Sequence, residues 1–181
     1  MSGRRQATVR RGGTFDAFEL CARRGILEGA IEVAGLGRLV DRLSGASEGR
    51  DAVAWRITGG TDAAGRMALE LALDGRVTLE CQRCLESFTW PVAQRTLLLL
   101  AHDERELAQL DEGDEHEVVL AAGPLDVRTL VEDELMLTLP FAPRCARPEC
   151  TGPAPATEGE TVKASAFAAL AGMQRGTKRG R

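Results

Sequence analysis

Met67-Ala-Leu-Glu-Leu-Ala-Leu-Asp-Gly-Arg-Val-Thr-Leu-Glu-Cys-Gln-Arg-Cys84 is the stretch on which the fold turns. Met67, Leu69, Leu71 and Leu73 alternate with small or acidic residues, and Val77, Leu79 and Cys81 alternate again. A period of two is the mark of a strand with one buried face. Between the two runs stands Asp74-Gly75. Glycine accepts the positive φ that a two-residue turn requires, so the stretch reads as two strands joined by a hairpin. It ends in Cys81-Gln82-Arg83-Cys84. Two cysteines three positions apart at a strand end can turn both sulfurs to one side, which suits a metal ion or a redox disulfide.

The same period continues outward. Val53, Trp55 and Ile57 alternate before a turn expected at Gly59-Gly60. Phe88–Ala101 follows the cysteines as a long strand, and Pro91 within it marks an edge or a bulge. Asp51–Ala101 is therefore expected to form an antiparallel meander of about four strands. Upstream, Phe15–Arg24 reads as a short amphipathic helix capped by Thr14 and ended by Gly25, with Cys21 as a buried apolar thiol. Gly25–Val33 reads as a strand, Leu36–Leu43 as a short helix and Ser44–Gly49 as a loop. Downstream, His102–Glu117 is acidic and reads as a solvated loop or frayed helix, and Val118–Ala121 as a further strand.

Leu125–Leu139 carries the clearest helical pattern. Val127, Val131, Leu135 and Leu139 recur every four residues, Asp126 suits the N-terminus, and Pro140 and Pro143 end it. The expected fold is α+β: an antiparallel β-meander covered by a long amphipathic helix, with flexible basic arms at both ends. The expected division is a basic arm over 1–13, one α+β domain over 14–150, and a linker, short apolar helix and basic tail over 151–181.

Composition narrows the function. The 181 residues carry a formal charge of −4, whereas a protein gripping nucleic acid over a wide surface is usually basic. The charge is unevenly spread: Arg4, Arg5, Arg10 and Arg11 lead the chain, Lys163, Arg175, Lys178, Arg179 and Arg181 close it, and Asp103–Glu117 holds much of the acid. Aromatics make up 4% with no tyrosine, which is poor material for base-stacking platforms. No apolar run approaches the roughly eighteen residues of a membrane-spanning helix, and no secretory signal pattern opens the chain, so the sequence reads as cytoplasmic.

No catalytic motif stands out. The two histidines, His102 and His116, lie in the acidic stretch, and no nucleophile elbow, phosphate-binding glycine loop or His-Glu-x-x-His helix is present. The chemistry rests on the cysteines. Cys81 and Cys84 form a good knuckle, and Cys145 and Cys150 form a looser second pair in a proline-rich loop. Together they would supply four thiolates for a zinc ion. Reduced thiols in turns without a metal, and a thiol–disulfide oxidoreductase working through Cys81 and Cys84, remain open beside that reading. Arg83, between the first two cysteines, is a candidate for presenting its guanidinium outward to RNA, with Arg76 and Arg95 as weaker candidates.

Three separated stretches resemble one family. Val77-Thr-Leu-Glu-Cys-Gln-Arg-Cys84 followed by Phe88 is similar to the signature of the bacterial YceD family, the large ribosomal RNA subunit accumulation proteins. Val131-Glu-Asp-Glu-Leu-Met-Leu-Thr-Leu-Pro140 resembles its acidic and apolar helix, and Ala166-Phe-Ala-Ala-Leu-Ala171 with Lys178 and Arg179 resembles its C-terminal segment. The resemblance implies a non-enzymatic ribosome-biogenesis factor acting in synthesis, processing or stability of large-subunit ribosomal RNA. Its expected partners are that RNA or a precursor particle, with a ribosomal protein or processing nuclease as further partners, and neither DNA nor membrane. Phe167 and Leu170 would then enter a partner groove, while Arg175, Lys178 and Arg179 meet RNA. A zinc-dependent protein-interaction module is the other reading.

Overall fold

The computed structural model describes residues 13–39, 43, 51–113 and 116–152. Seven strands and three α-helices follow one another there: β1 (Thr14–Phe15), α1 (Ala17–Ala22), β2 (Ile26–Glu32), β3 (Ala52–Thr61), β4 (Met67–Glu80), β5 (Ser87–Ala101), α2 (Glu104–Asp111), β6 (Glu117–Leu120), β7 (Leu125–Asp126) and α3 (Val127–Thr138). The class is α+β. Five strands make one sheet in the order β2-β3-β4-β5-β6, antiparallel throughout except for β6, which runs parallel to the end of β5. β1 and β7 form a separate two-stranded ladder that pairs Thr14 with Asp126.

The expected hairpin at Asp74-Gly75 does not exist: β4 runs straight through it. The phase of the alternation explains why. In a two-residue hairpin, residues 73 and 76 would stand opposite each other, and directly opposed residues share a face. Leu73, Leu71 and Leu69 would then share the core with Arg76, Thr78 and Glu80. The continuous strand instead puts Leu69, Leu71, Leu73, Val77 and Leu79 on one buried face. Gly75 sits in that series because β3 passes so close: a β-carbon there would lie 2.7 Å from the Ala52 carbonyl oxygen.

Gly59-Gly60 is likewise strand rather than turn. A β-carbon on Gly59 would fall 2.5 Å from the Leu20 carbonyl, so this glycine lets the end of α1 lie directly on the sheet. The reversal comes later, where the Asp62 carboxylate accepts from the Ala64 and Arg66 amides and Gly65 takes a φ of 84°.

The helices also differ in extent from the pattern. α1 begins at Ala17 with Asp16 as its cap, because Thr14 and Phe15 are occupied by β7. Cys21 is buried and its thiol reaches the Ala68 carbonyl. Leu36–Leu43 is not helical over its described residues; a 3-10 turn at Val33–Gly35 precedes it. The acidic stretch contains α2, with no buried residue. α3 spans twelve residues rather than the full 125–139, since Leu125 and Asp126 are drawn into β7 and Leu139 turns extended ahead of Pro140. Val127, Leu130, Val131 and Leu135 of α3 join the sheet's apolar face in one core. Glu134, also buried there, accepts from the Thr96 hydroxyl of β5 at 2.5 Å. Among the described residues no helix is long and apolar enough to cross a membrane.

Candidate metal centre

β4 runs into a tight turn at Cys81, and β5 leaves it at Ser87. The turn closes on itself: the Cys81 amide donates to the Glu86 carbonyl at 2.9 Å, and the Leu85 amide donates to the Cys81 carbonyl at 2.8 Å. Leu85 takes a φ of 60°, a left-handed conformation uncommon outside glycine, and its side chain stands exposed. α3 then delivers the second loop to the same place. The Gln82 amide donates to the Pro143 carbonyl at 2.9 Å, and a turn between Arg147 and Cys150 folds the second cysteine pair inward.

Four sulfurs meet as a result. Cys81 and Cys150 are 3.7 Å apart, Cys84 and Cys145 are 3.8 Å apart, and all four lie within 4.8 Å of one another. A zinc–thiolate tetrahedron with bonds of about 2.3 Å has sulfur–sulfur edges of about 3.8 Å. A disulfide needs about 2.05 Å, and all four cysteines are free thiols. The donor set therefore fits a thiophilic divalent cation, zinc first. Cys81 and Cys150 are buried, whereas Cys84 and Cys145 are half-buried.

The surroundings favour negative charge on part of the set. The Cys145 amide points at the Cys81 sulfur at 3.4 Å. With help from the Cys84 and Arg83 amides, it holds the Cys81 thiol down at about 5. Arg147 lowers the Cys145 thiol by hydrogen bonding. Burial, and then the neighbouring sulfurs, push Cys150 up to about 12. Like charges crowded into so small a space oppose ionisation of the whole set, and a divalent cation would relieve that repulsion.

Arg147 and Glu86 at the centre were not evident from sequence. Arg147 donates through Nε to the Cys145 sulfur at 3.4 Å and through Nη2 to the Cys84 sulfur at 3.6 Å, and it is ion-paired with Glu86. The available signal was an arginine placed between two candidate ligands. Arg83 is exposed, and its Nη1 donates to the Cys150 carbonyl at 3.1 Å, which ties one knuckle to the other. Arg95 pairs with Glu70 at 3.5 Å. Phe167, Leu170, Arg175, Lys178 and Arg179 lie outside the described residues.

A depression of about 880 Å³ lies elsewhere, on the face of the sheet turned away from the core. Ala54, Ala72 and Ala93 floor it, and Glu28, Arg56, Asp74 and Arg95 line it with two charges of each sign. Its charges neutralise each other, and it offers no nucleophile beside a base.

A family model described as large ribosomal RNA subunit accumulation protein YceD matches residues 69–173, a span that contains all four clustered cysteines. No solved structure matches the chain.

Proposed function

This chain belongs to the YceD family of large ribosomal RNA subunit accumulation proteins, and from that premise we propose that it is a non-enzymatic accessory factor for large-subunit ribosomal RNA. Cys81, Cys84, Cys145 and Cys150 hold a structural zinc ion. The observation that carries this reading is the meeting of four sulfurs at tetrahedral spacing inside the matched segment. Zinc bound there supplies a cross-link between positions far apart in sequence. The chain's own residues do the rest: the cysteines fix the end of β4 against the loop after α3, and Arg83 adds a tie to the Cys150 carbonyl.

The acidic body makes a broad RNA grip unlike this protein. Contact with RNA or a precursor particle is assigned to the basic residues Arg175, Lys178 and Arg179, and contact with a protein groove to Phe167 and Leu170. The test is the ratio of large- to small-subunit ribosomal RNA in cells lacking the protein. Wild type should restore it, and a folded Cys81→Ser, Cys84→Ser double variant should not. Restoration by both would remove the cysteines from the function. An unchanged ratio without the protein would remove the function itself.

A second reading, a zinc-dependent protein-interaction module, draws on Phe141. This residue is 95% exposed and lines a cleft with Gln82 and Pro143 beside the first knuckle. Binding to a precursor particle that survives nuclease treatment and fails on chelation would favour it. The depressed thiol of Cys81 is what an oxidoreductase would need. Its sulfur belongs to a fully buried residue, closed to attack on a protein disulfide. The same depression serves a thiolate ligand.

A further inference from the structure

We propose that Arg147 is a positioning residue of the cysteine centre, matching its excess negative charge and locking the two cysteine pairs into one ligand set. The inference rests on the metal reading above. Four thiolates around one divalent cation leave a doubly negative group, and a half-buried group of that charge needs compensation. Among the described residues Arg147 is the cation whose hydrogen bonds reach the sulfurs. Arg83, in the first knuckle, donates instead to a backbone carbonyl.

The contacts use the shape of the guanidinium. Nε faces Cys145, its near neighbour in sequence; Nη2 faces Cys84, across the gap between the two loops; Nη1 faces Glu86, which follows the first knuckle. Three directions of one rigid plane are thus engaged at once, and an ammonium cannot reproduce them. Because Cys84 and Cys145 are the two less buried ligands, the guanidinium also shields the side of the cluster most open to water and to competing chelators. Groups that orient metal ligands in this way typically change metal affinity by about 10–100-fold when removed.

Cobalt(II) titration of the full chain, followed by competition with zinc and a colorimetric chelator, tests the idea. Arg147→Gln should bind cobalt about 10–100-fold more weakly and release zinc to the chelator correspondingly faster. Its thiolate-to-cobalt absorption band should move to lower energy, because sulfur that has lost hydrogen-bond donors gives up electron density more easily. Loosened packing alone would not move that band. Arg147→Lys should restore part of the affinity, since it returns the charge without the fork. Should Arg147→Gln not fold, Glu86→Gln takes its place: it leaves every ligand and Arg147 present, and should weaken binding several-fold by releasing the guanidinium. Wild-type affinity and an unmoved band in Arg147→Gln, or in Glu86→Gln where that variant stands in, would overturn the inference while leaving the metal reading intact. A wild-type protein that shows no thiolate–cobalt band overturns both.

Discussion

Replacing Gly75 by alanine puts the path of β4 to a quantitative test. Gly75 stands opposite Val53 on one side and Val92 on the other. A β-carbon there would meet the Ala52 carbonyl oxygen at 2.7 Å, Val53 Cα at 2.9 Å and Val53 Cγ2 at 3.2 Å. The two closest atoms are backbone, so relief requires β3 and β4 to part in the middle of the sheet; turning a side chain is not enough. Overpacking of this kind costs about 1–3 kcal/mol. The smaller freedom of alanine in the unfolded chain offsets about 0.4–1 kcal/mol. The mid-range net loss is about 1.3 kcal/mol, which lowers Tm by roughly 3–5 °C for a chain of this size. Gly60→Ala is the internal control, because nothing lies within 4 Å of the added carbon and its backbone is not left-handed. It should leave stability unchanged or raise it by up to about 1 kcal/mol. Urea unfolding of both variants, with equal m values, reads the difference directly. A third variant sharpens the point. Gly75→Asn would be tolerated in a hairpin turn, where asparagine accepts left-handed φ, but must be worse than alanine in a crowded strand. Equal urea midpoints for Gly75→Ala and Gly60→Ala, or an asparagine variant more stable than the alanine one, would refute the continuous β4.

Thr96→Val removes the hydroxyl that donates to buried Glu134 and should cost about 1–3 kcal/mol in urea unfolding, more than an isosteric swap at an exposed strand position. In the metal-stripped protein, Cys81 is held at about 5 against an ordinary 9.0, so the unfolded chain binds the extra proton between those values. The contribution of Cys81 is complete above about pH 9 and disappears as pH falls through about 5. Stability measured across that window should rise with pH, and the rise should shrink in Cys81→Ser; an equal slope in the two proteins would contradict the assignment. A chain ending at residue 160 lacks Arg175, Lys178 and Arg179, and should no longer co-sediment with large-subunit precursors at moderate salt. Unchanged co-sedimentation would place the RNA contact elsewhere.

The parts of this protein legible from sequence are those set by local periodicity and covalent spacing. Alternation in 53–57 and 67–81 announces strands because side chains of a strand must point to opposite faces in turn. The four-residue recurrence from Val127 to Leu139 announces α3 for the matching helical reason, though two of its first residues went to β7. Cys81-x-x-Cys84 announces a knuckle, because that spacing leaves two sulfurs on one side of a turn. The glycine at 75 was a harder case. Its preference for turns is a property of the residue alone, whereas the phase of the flanking leucines and valine already spoke for one strand.

Tertiary structure alone decided the rest, since it depends on which distant segments touch. Gly59 and Gly75 are glycines because α1 and β3 pass within 3 Å of where a β-carbon would stand. Cys145 and Cys150 become partners of Cys81 and Cys84 only once α3 has packed into the core and carried its trailing loop to the end of β4. Arg147 is invisible as a site residue until that docking sets its guanidinium between two sulfurs and Glu86. A single chain shows its periods and its spacings; the energy of bringing sixty-odd residues of separation to one point appears only when the sheet and α3 share a core.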